Sequence, residues 1–330
     1  MLTKSELEEI RRELETSRNP LFIFHDDGDG LCSFLLCYRY VRRGHGELIK
    51  RLFTLTEEYD YLVRRHDPDK IFILDVPEVD QEFIDEAKVP IIWIDHHPIQ
   101  KRKNVKYFNP RFRSPDKNFP VSYICYKALK THMWIGMMGS VSDYYLPDFK
   151  DEFAEKYPDL ISKDVKTAGE ALYKTKLGEL IRILSFSLKG PMYKVRQHIS
   201  QLLDMDDPRD VEELADKKTI EKYDKIKKLA LKQKPEGKFF IYKYEKGLPF
   251  LAELSNEFIN LFPDKIVIIA RESEGEVRAS IRSRKYKVLK PIKEIFKQIP
   301  GNGGGHEVAC GIMIGANDWQ MFLYKLRDKF

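Results

Sequence analysis

Residues 25–30, HDDGDG, crowd one histidine, three aspartates and two glycines directly after the apolar run PLFIF. His25, Asp27 and Asp29 stand two residues apart. Asp75 closes a second apolar run, KIFILD. Asp95, His96 and His97 close a third, VPIIWID, and Asp143 follows GMMGSVS. Singly, these residues have plain readings: Asp-Gly is a strong turn former, and a lone aspartate at an element end is a helix cap. An EF-hand is excluded, because its Asp/Asn spacing and closing Glu are missing. Jointly they mean more. Several carboxylates a few ångströms apart raise one another's pKa and all stay ionised only with cations between them. Carboxylate with imidazole suits Mn²⁺ or Mg²⁺, and the lack of cysteine argues against structural zinc. Two such ions roughly 3.5–4 Å apart activate water and stabilise both oxygens of an in-line displacement at phosphorus, with no Ser or Cys nucleophile.

That chemistry requires the clusters to converge. The first half alternates strand-like runs (LFIF, IKRLFTL, KIFILD, VPIIWID) with helical patterns (YDYLVRRH, DQEFIDEAK). The alternation predicts a parallel α/β sheet, whose ligands sit beyond the carboxyl ends of the strands. The run before Asp143 reads as strand or buried helix. Residues 150–235 read as helical, closing in a Lys-rich linker helix over 216–236. KFFIYKY, DKIVIIAR, VRASIRS and EVACGIMI then read as strands of a smaller α/β domain. The expected division is 1–215, 216–236 and 237–330.

The chain of 330 residues is 33% charged, above the usual ~25% and in keeping with a heat-adapted source. The N-terminal twenty residues resemble neither signal peptide nor anchor, and no run reaches membrane-span length. Cys32, Cys37, Cys125 and Cys310 form no CxxC pair, which fits a reducing cytoplasmic compartment. From Gly237 onward there are 16 Lys/Arg against 11 Asp/Glu, and 277–297 holds eight basic residues with one acid. Such a stripe suits a polyanion, although a solvated face gives the same pattern.

The ordered series HDDGDG, ILD, DHH, SVSD and late GNGGGH closely resembles the DHH phosphoesterase superfamily, and the late motif with ASIRS resembles its DHHA1-type C-terminal domain. Archaeal RecJ-like single-strand exonucleases, the Hef-associated nuclease among them, are the most similar branch. The resemblance spans about 20–145 and 237–330. It implies a parallel-sheet catalytic domain, a helical connector, a smaller α/β domain and an active site in the interdomain cleft. It assigns one ion to His25, Asp27 and Asp75, and a second to Asp29, Asp75, His96 and Asp143, bridged by Asp75. Asp95 would orient a histidine and His97 would face the phosphate; with His306 these make up the catalytic assignments. Gly28 stands where relatives often have alanine, a departure expected to be harmless.

GNGGGH lacks the GK[ST] of a P-loop. Its Gly303, Gly304 and Gly305 beside His306 would let backbone N–H groups approach a phosphate. Arg282, with Ser280 and Ser283, would clamp the same phosphate, and Arg278 and Arg284 the next ones. Tyr144, Tyr145 and Tyr286 are candidates for base stacking. These readings predict a metal-dependent exonuclease on single-stranded DNA or RNA, 3′→5′ by the family resemblance. The alternatives are a nanoRNase or cyclic-dinucleotide phosphodiesterase, and a Cdc45-like replication partner. Implied partners are single-stranded nucleic acid and a helicase or replisome protein, with no membrane.

Overall fold

The structure is a computed structural model describing residues 1–49, 54–245, 247 and 250–330, with the side chain of residue 306 outside the description. It divides into two compact units, Met1–Ala215 and Asp216–Phe330.

The first unit is built on a five-stranded, wholly parallel sheet: β1 (Pro20–His25), β2 (His45–Ile49), β4 (Lys70–Leu74), β6 (Ile91–Ile94) and β7 (Lys106–Phe108), in the order β2-β1-β4-β6-β7. A separate short pair joins β3 (Thr54–Leu55) to β5 (Glu78–Val79). The central runs are apolar throughout because both faces are covered. Phe22, Phe24, Phe72, Leu74, Ile92 and Ile94 enter one core, and the intervening Leu21, Ile23, Ile71, Ile73, Ile91 and Trp93 enter the other. The period of two along each strand produces this division. Helices cover both faces: α1 (Lys4–Thr16), α2 (Gly28–Val41), α3 (Asp60–His66), α4 (Gln81–Glu86), α5 (Val121–Leu129) and α6 (Met133–Ser142). Four more follow: α7 (Lys150–Lys156), α8 (Ala168–Lys174), α9 (Lys176–Ser187) and α10 (Met192–Leu202).

Several expectations change. The run IKRLFTL lies largely in residues 50–53, outside the described residues; the edge strand is the preceding HGELI. β7 has three residues and one buried side chain, too little for a hydrophobic run. The segment before Asp143 is a helix, buried from Trp134 to Val141 on all sides.

In the second unit, β8 (Phe239–Glu245), β9 (Ile266–Ser273), β10 (Glu276–Ser283), β11 (Asn302–His306) and β12 (Ala309–Gly315) form a sheet of order β11-β12-β10-β9-β8. Only β8 and β9 are parallel, and their crossover is α12 (Leu251–Leu261). α13 (Leu289–Ile295) and α14 (Trp319–Asp328) bury Ile292, Ile295, Trp319 and Phe322 with β10 Val277 and Ile281. The Lys-rich helix α11 (Lys217–Ala230) belongs to this unit and is no free connector. Its buried Tyr223 donates to Glu257 of α12 at 2.6 Å, and Lys227 pairs with the same carboxylate at 2.5 Å.

Candidate metal centre

The sheet delivers the acidic clusters to one edge. β1 and β4 are neighbours, but the chain runs outward from β1 to β2 before returning to β4, so a crevice opens at their carboxyl ends. His25 ends β1. Asp27 caps α2, accepting the Gly30 N–H at 2.9 Å, and Asp29 lies in the first turn. Asp75 follows β4 with a left-handed φ of 61°, a conformation that L residues enter at a cost and that clusters at functional sites. Asp95, His96 and His97 follow β6, and Asp143 caps the C-terminus of α6.

Three groups form with ligand atoms mutually within 4.8 Å: His25, Asp27 and Asp75; Asp75, His96 and His97; and Asp29, His96 and Asp143. His25 Nδ1 lies 2.9 Å from Asp27 Oδ2 and 4.0 Å from Asp75 Oδ2. His96 Nε2 lies 3.1 Å from Asp75 Oδ1, and its Nδ1 lies 3.7 Å from Asp143 Oδ2. His97 Nδ1 is 3.8 Å from Asp75 Oδ1.

Surrounding residues fix these groups. Asp29, 2% exposed, accepts from the Val121 N–H at 2.7 Å, the Ser122 N–H at 2.9 Å and the Ser122 hydroxyl, so the N-terminus of α5 grips its carboxylate. Asp95, fully buried, accepts from His97 Nδ1 (2.8 Å), the His97 N–H (3.1 Å), the Tyr107 hydroxyl (3.0 Å) and Asn109 Nδ2 (3.1 Å). It therefore sets the His97 ring. A Cβ at Gly28 would meet Ser142 Oγ at 2.5 Å and Ser142 Cβ at 2.8 Å. The glycine lets α2 pass close to the α6 residue next to Asp143. Tyr107, Asn109 and Ser122 were not singled out in the sequence. Their one local signal is FNP and PVS at element starts.

The electrostatics are those of a crowded anionic site. Burial, then Asp143, pushes Asp29 up to about 7. Burial, then Asp27 and Asp29, drives Asp75 well above the usual carboxylate range, and burial raises Asp143. Burial works against protonation of His25 and His96, but the facing carboxylates outweigh it. His25 rises to about 10, and His96 is also raised well above its ordinary value. Asp75 Oδ1 and His25 Nδ1 are buried without hydrogen-bond partners despite their short distances to neighbours. Oxygen and imidazole donors without thiolate suit a hard or borderline divalent cation, so these residues fit Mn²⁺ or Mg²⁺.

In the second unit the pleat separates residues that the sequence reading grouped. Ser280 shares its hydroxyl with Ser255 Oγ at 2.9 Å, and Arg282 Nε donates to Asn256 Oδ1 at 3.0 Å, both toward α12. Ser283 has the opposite parity, and its Oγ accepts the Lys285 and Tyr286 N–H groups at 3.2 and 2.9 Å. Ser283 caps a turn from the face of the strand opposite to Ser280 and Arg282. Within GNGGGH, Asn302–His306 form the edge strand β11. Its register aligns Gly304 with Gly311 and Ser280, and His306 with Ala309 and Arg282. A Cβ at Gly304 or Gly311 would meet nothing within 4 Å, so the row beside Ser280 is bare backbone. The His306 side chain, assigned to catalysis and substrate binding, lies outside the described residues. Arg278 pairs with Glu276 at 3.5 Å, and Arg284 donates to Asn260. Tyr145 packs on Tyr123 and Tyr286 on Phe330; Tyr144, at 36% the most exposed of the three, bonds Tyr173.

No helix among the described residues is long and apolar enough to cross a membrane. No curated protein sequence matches the chain. The model of the DHH family, N-terminal domain, matches residues 21–133, and that of the DHHA1 domain matches 240–330. Among solved structures, RecJ from Thermus thermophilus in complex with Mn²⁺ aligns at TM-score 0.67 and 14% identity over 98% of this chain. The chain spans only 54% of that RecJ. CDC45 from Entamoeba histolytica aligns at 0.56 and 10% identity, covering 98% of both chains. The pGpG-specific phosphodiesterase PggH from Vibrio cholerae aligns at 0.52 and 13%, over 94% of this chain and 97% of that one. At these identities the likeness is one of fold. With both family models matching in order along the sequence, the chain belongs to the DHH/DHHA1 superfamily and is RecJ-like in fold.

Proposed function

We propose that the protein is a metal-dependent phosphodiesterase that releases nucleotides from the end of single-stranded DNA or RNA, with two Mn²⁺ or Mg²⁺ ions in the crevice. The observation that carries this reading is the set of three ligand groups sharing Asp75 and His96, with two buried polar atoms lacking partners. His25, Asp27 and Asp75 would hold one ion, and Asp29, Asp75, His96 and Asp143 the other. Bound there, the ions would lower the pKa of water and stabilise charge on the phosphate oxygens. The protein's own residues orient and exclude. Asp95 holds Nδ1 of His97, which leaves Nε2 as the atom to meet a phosphate oxygen. Asp75, 1% exposed, keeps its carboxylate away from bulk water. Arg282 and the basic stripe supply attraction for a polyanion. The 3′→5′ direction rests on the family resemblance alone.

A second reading shares the same fold. The chain matches PggH over 97% of that protein and a manganese-bound exonuclease RecJ over 94% of its length, so both substrate classes occur among the full-length matches. A dinucleotide phosphodiesterase would use the same metal centre. The likeness to CDC45 is compatible with docking on a replisome protein in addition to catalysis.

The test is a gel time course with Mn²⁺ on 5′- and 3′-labelled single-stranded 30-mers, in DNA and RNA forms, beside a labelled dinucleotide. Stepwise shortening establishes the exonuclease, and the two labels report its direction. Rapid dinucleotide cleavage with intact 30-mers moves the protein to the second reading. No cleavage of any substrate refutes both.

A further inference from the structure

The second ligand group draws Asp29 from α2, His96 from the loop after β6 and Asp143 from the end of α6. α5 grips Asp29, but something must bring the other two together. We propose that Asn118, in the loop between β7 and α5, is the positioning residue that sets both His96 and Asp143 from a single side-chain amide. This inference rests on the two-ion reading above.

His96 Nδ1 lies 2.5 Å from Asn118 Oδ1. On its other side, Asn118 Nδ2 donates to Asp143 Oδ2 at 2.7 Å and to the Asp143 carbonyl at 3.3 Å. The amide has one consistent orientation. Flipped, its oxygen would face a carboxylate and a carbonyl, neither of which donates. A carbonyl oxygen only accepts, so the proton of a neutral His96 must sit on Nδ1. Nε2, the nitrogen 3.1 Å from Asp75 Oδ1, is then the one with a lone pair for an ion. The same amide turns one Asp143 oxygen toward His96. The loop is tied to its target: Arg111 Nε donates to the His96 carbonyl at 2.6 Å, and Arg111 Nη1 donates to the Pro115 carbonyl at 2.7 Å. The side-chain type also matters. Aspartate at 118 would keep the acceptor for His96 but lose the donor and face Asp143 with a like charge. Serine cannot span both partners. Asn118 is exposed and outside every core cluster, so its truncation removes these bonds without opening a cavity.

The experiment titrates Mn²⁺ calorimetrically into metal-free wild type and Asn118→Ala at one pH. It also records ¹⁵N–¹H spectra of His96 with saturating Mg²⁺, including Asn118→Asp. Wild type is expected to bind two Mn²⁺. Asn118→Ala should keep one site near wild-type affinity and weaken the other 10–100-fold, with metal-free melting within about 2 °C of wild type. The His96 Nδ1–H signal should be single in wild type and Asn118→Asp, and in Asn118→Ala mixed with the Nε2–H form of rings that have turned to present Nδ1 to the ion. Wild-type affinity at both sites with an unchanged His96 spectrum in Asn118→Ala overturns the proposal. So does a mixed signal in Asn118→Asp. Wild type binding fewer than two Mn²⁺ instead refutes the two-ion reading, and the His96 spectra still decide whether Asn118 sets the ring.

Discussion

Stripped of metal, the protein should lose stability as pH rises through neutrality, the reverse of the usual acid-side behaviour. Asp29 is raised from an ordinary 3.8 to about 7, so the stability tied to its neutral form is complete below pH 3.8 and disappears as pH climbs through 7. His25, raised from 6.5 to about 10, contributes stability that is complete below pH 6.5 and is lost toward pH 10. At about 1.4 kcal/mol per pH unit, Asp29 removes roughly 3 kcal/mol between pH 5 and 7, and His25 a similar amount between pH 6.5 and 8.5. The two share the same anionic neighbours, so their joint effect is about 3–5 kcal/mol rather than the full sum. In a unit of this size that corresponds to a fall of roughly 6–20 °C in Tm. Mn²⁺ should reverse the trend, because it replaces protons on the same atoms. Its stabilisation, about 2.7 kcal/mol at a hundredfold excess over Kd, should grow with pH. Asp75→Asn keeps the shape of a carboxyl that burial, Asp27 and Asp29 already hold well above the usual range, but it cannot ionise as pH rises. It should flatten the metal-free slope, melt above wild type at pH 8.5 and abolish the Mn²⁺ shift. Scanning fluorimetry from pH 5 to 8.5, with chelator or Mn²⁺, measures all of this. A metal-free Tm that stays level or climbs toward pH 8.5 would refute the crowded-anion account, as would Asp75→Asn retaining both the slope and the shift.

Further outcomes follow from the same geometry. Gly28→Ala should cost about 1–3 kcal/mol by overpacking against Ser142 and weaken Mn²⁺ binding through the adjacent Asp143. Adding Ser142→Gly removes both contacted atoms and should recover most of each loss, and a double variant no better than Gly28→Ala would contradict this. Asp95→Asn turns an amide N–H toward groups that all donate; denaturant melts should show about 2–3 kcal/mol lost, and kcat should drop at least tenfold with KM little changed. Arg282→Ala should raise KM and reduce the salt slope of single-strand binding by about 0.7 in log–log units, as expected for one phosphate contact, while Mn²⁺ affinity stays at the wild-type value. A loss of Mn²⁺ affinity in that variant would show that Arg282 acts on the metal centre instead.

Much of the architecture was legible because it is local. Continuous apolar runs marked β1, β4 and β6 as strands covered on both faces, and their even and odd residues sort into two cores. The strand ends carried the acids and histidines, and β-sheet topology then required them to meet. β7 escaped notice because a three-residue strand has no periodicity to read. The helix before Asp143 was ambiguous because a segment buried on all sides shows neither period. Parity alone separates Ser283 from Ser280 and Arg282, because alternate residues of β10 face opposite sides of the sheet.

By itself, then, the sequence determined the ligand chemistry: which residues carry oxygen and imidazole donors, and that each cluster ends a buried strand. It did so because side-chain type and hydrophobic period are properties of short segments. Only the tertiary structure decided what holds those ligands. Asp29 depends on α5, more than ninety residues further along, and His96 and Asp143 meet through Asn118 from a loop with no pattern of its own. Hydrogen bonds between distant segments leave no spacing in the chain, because the backbone path, not the residue order, brings donor and acceptor within 3 Å.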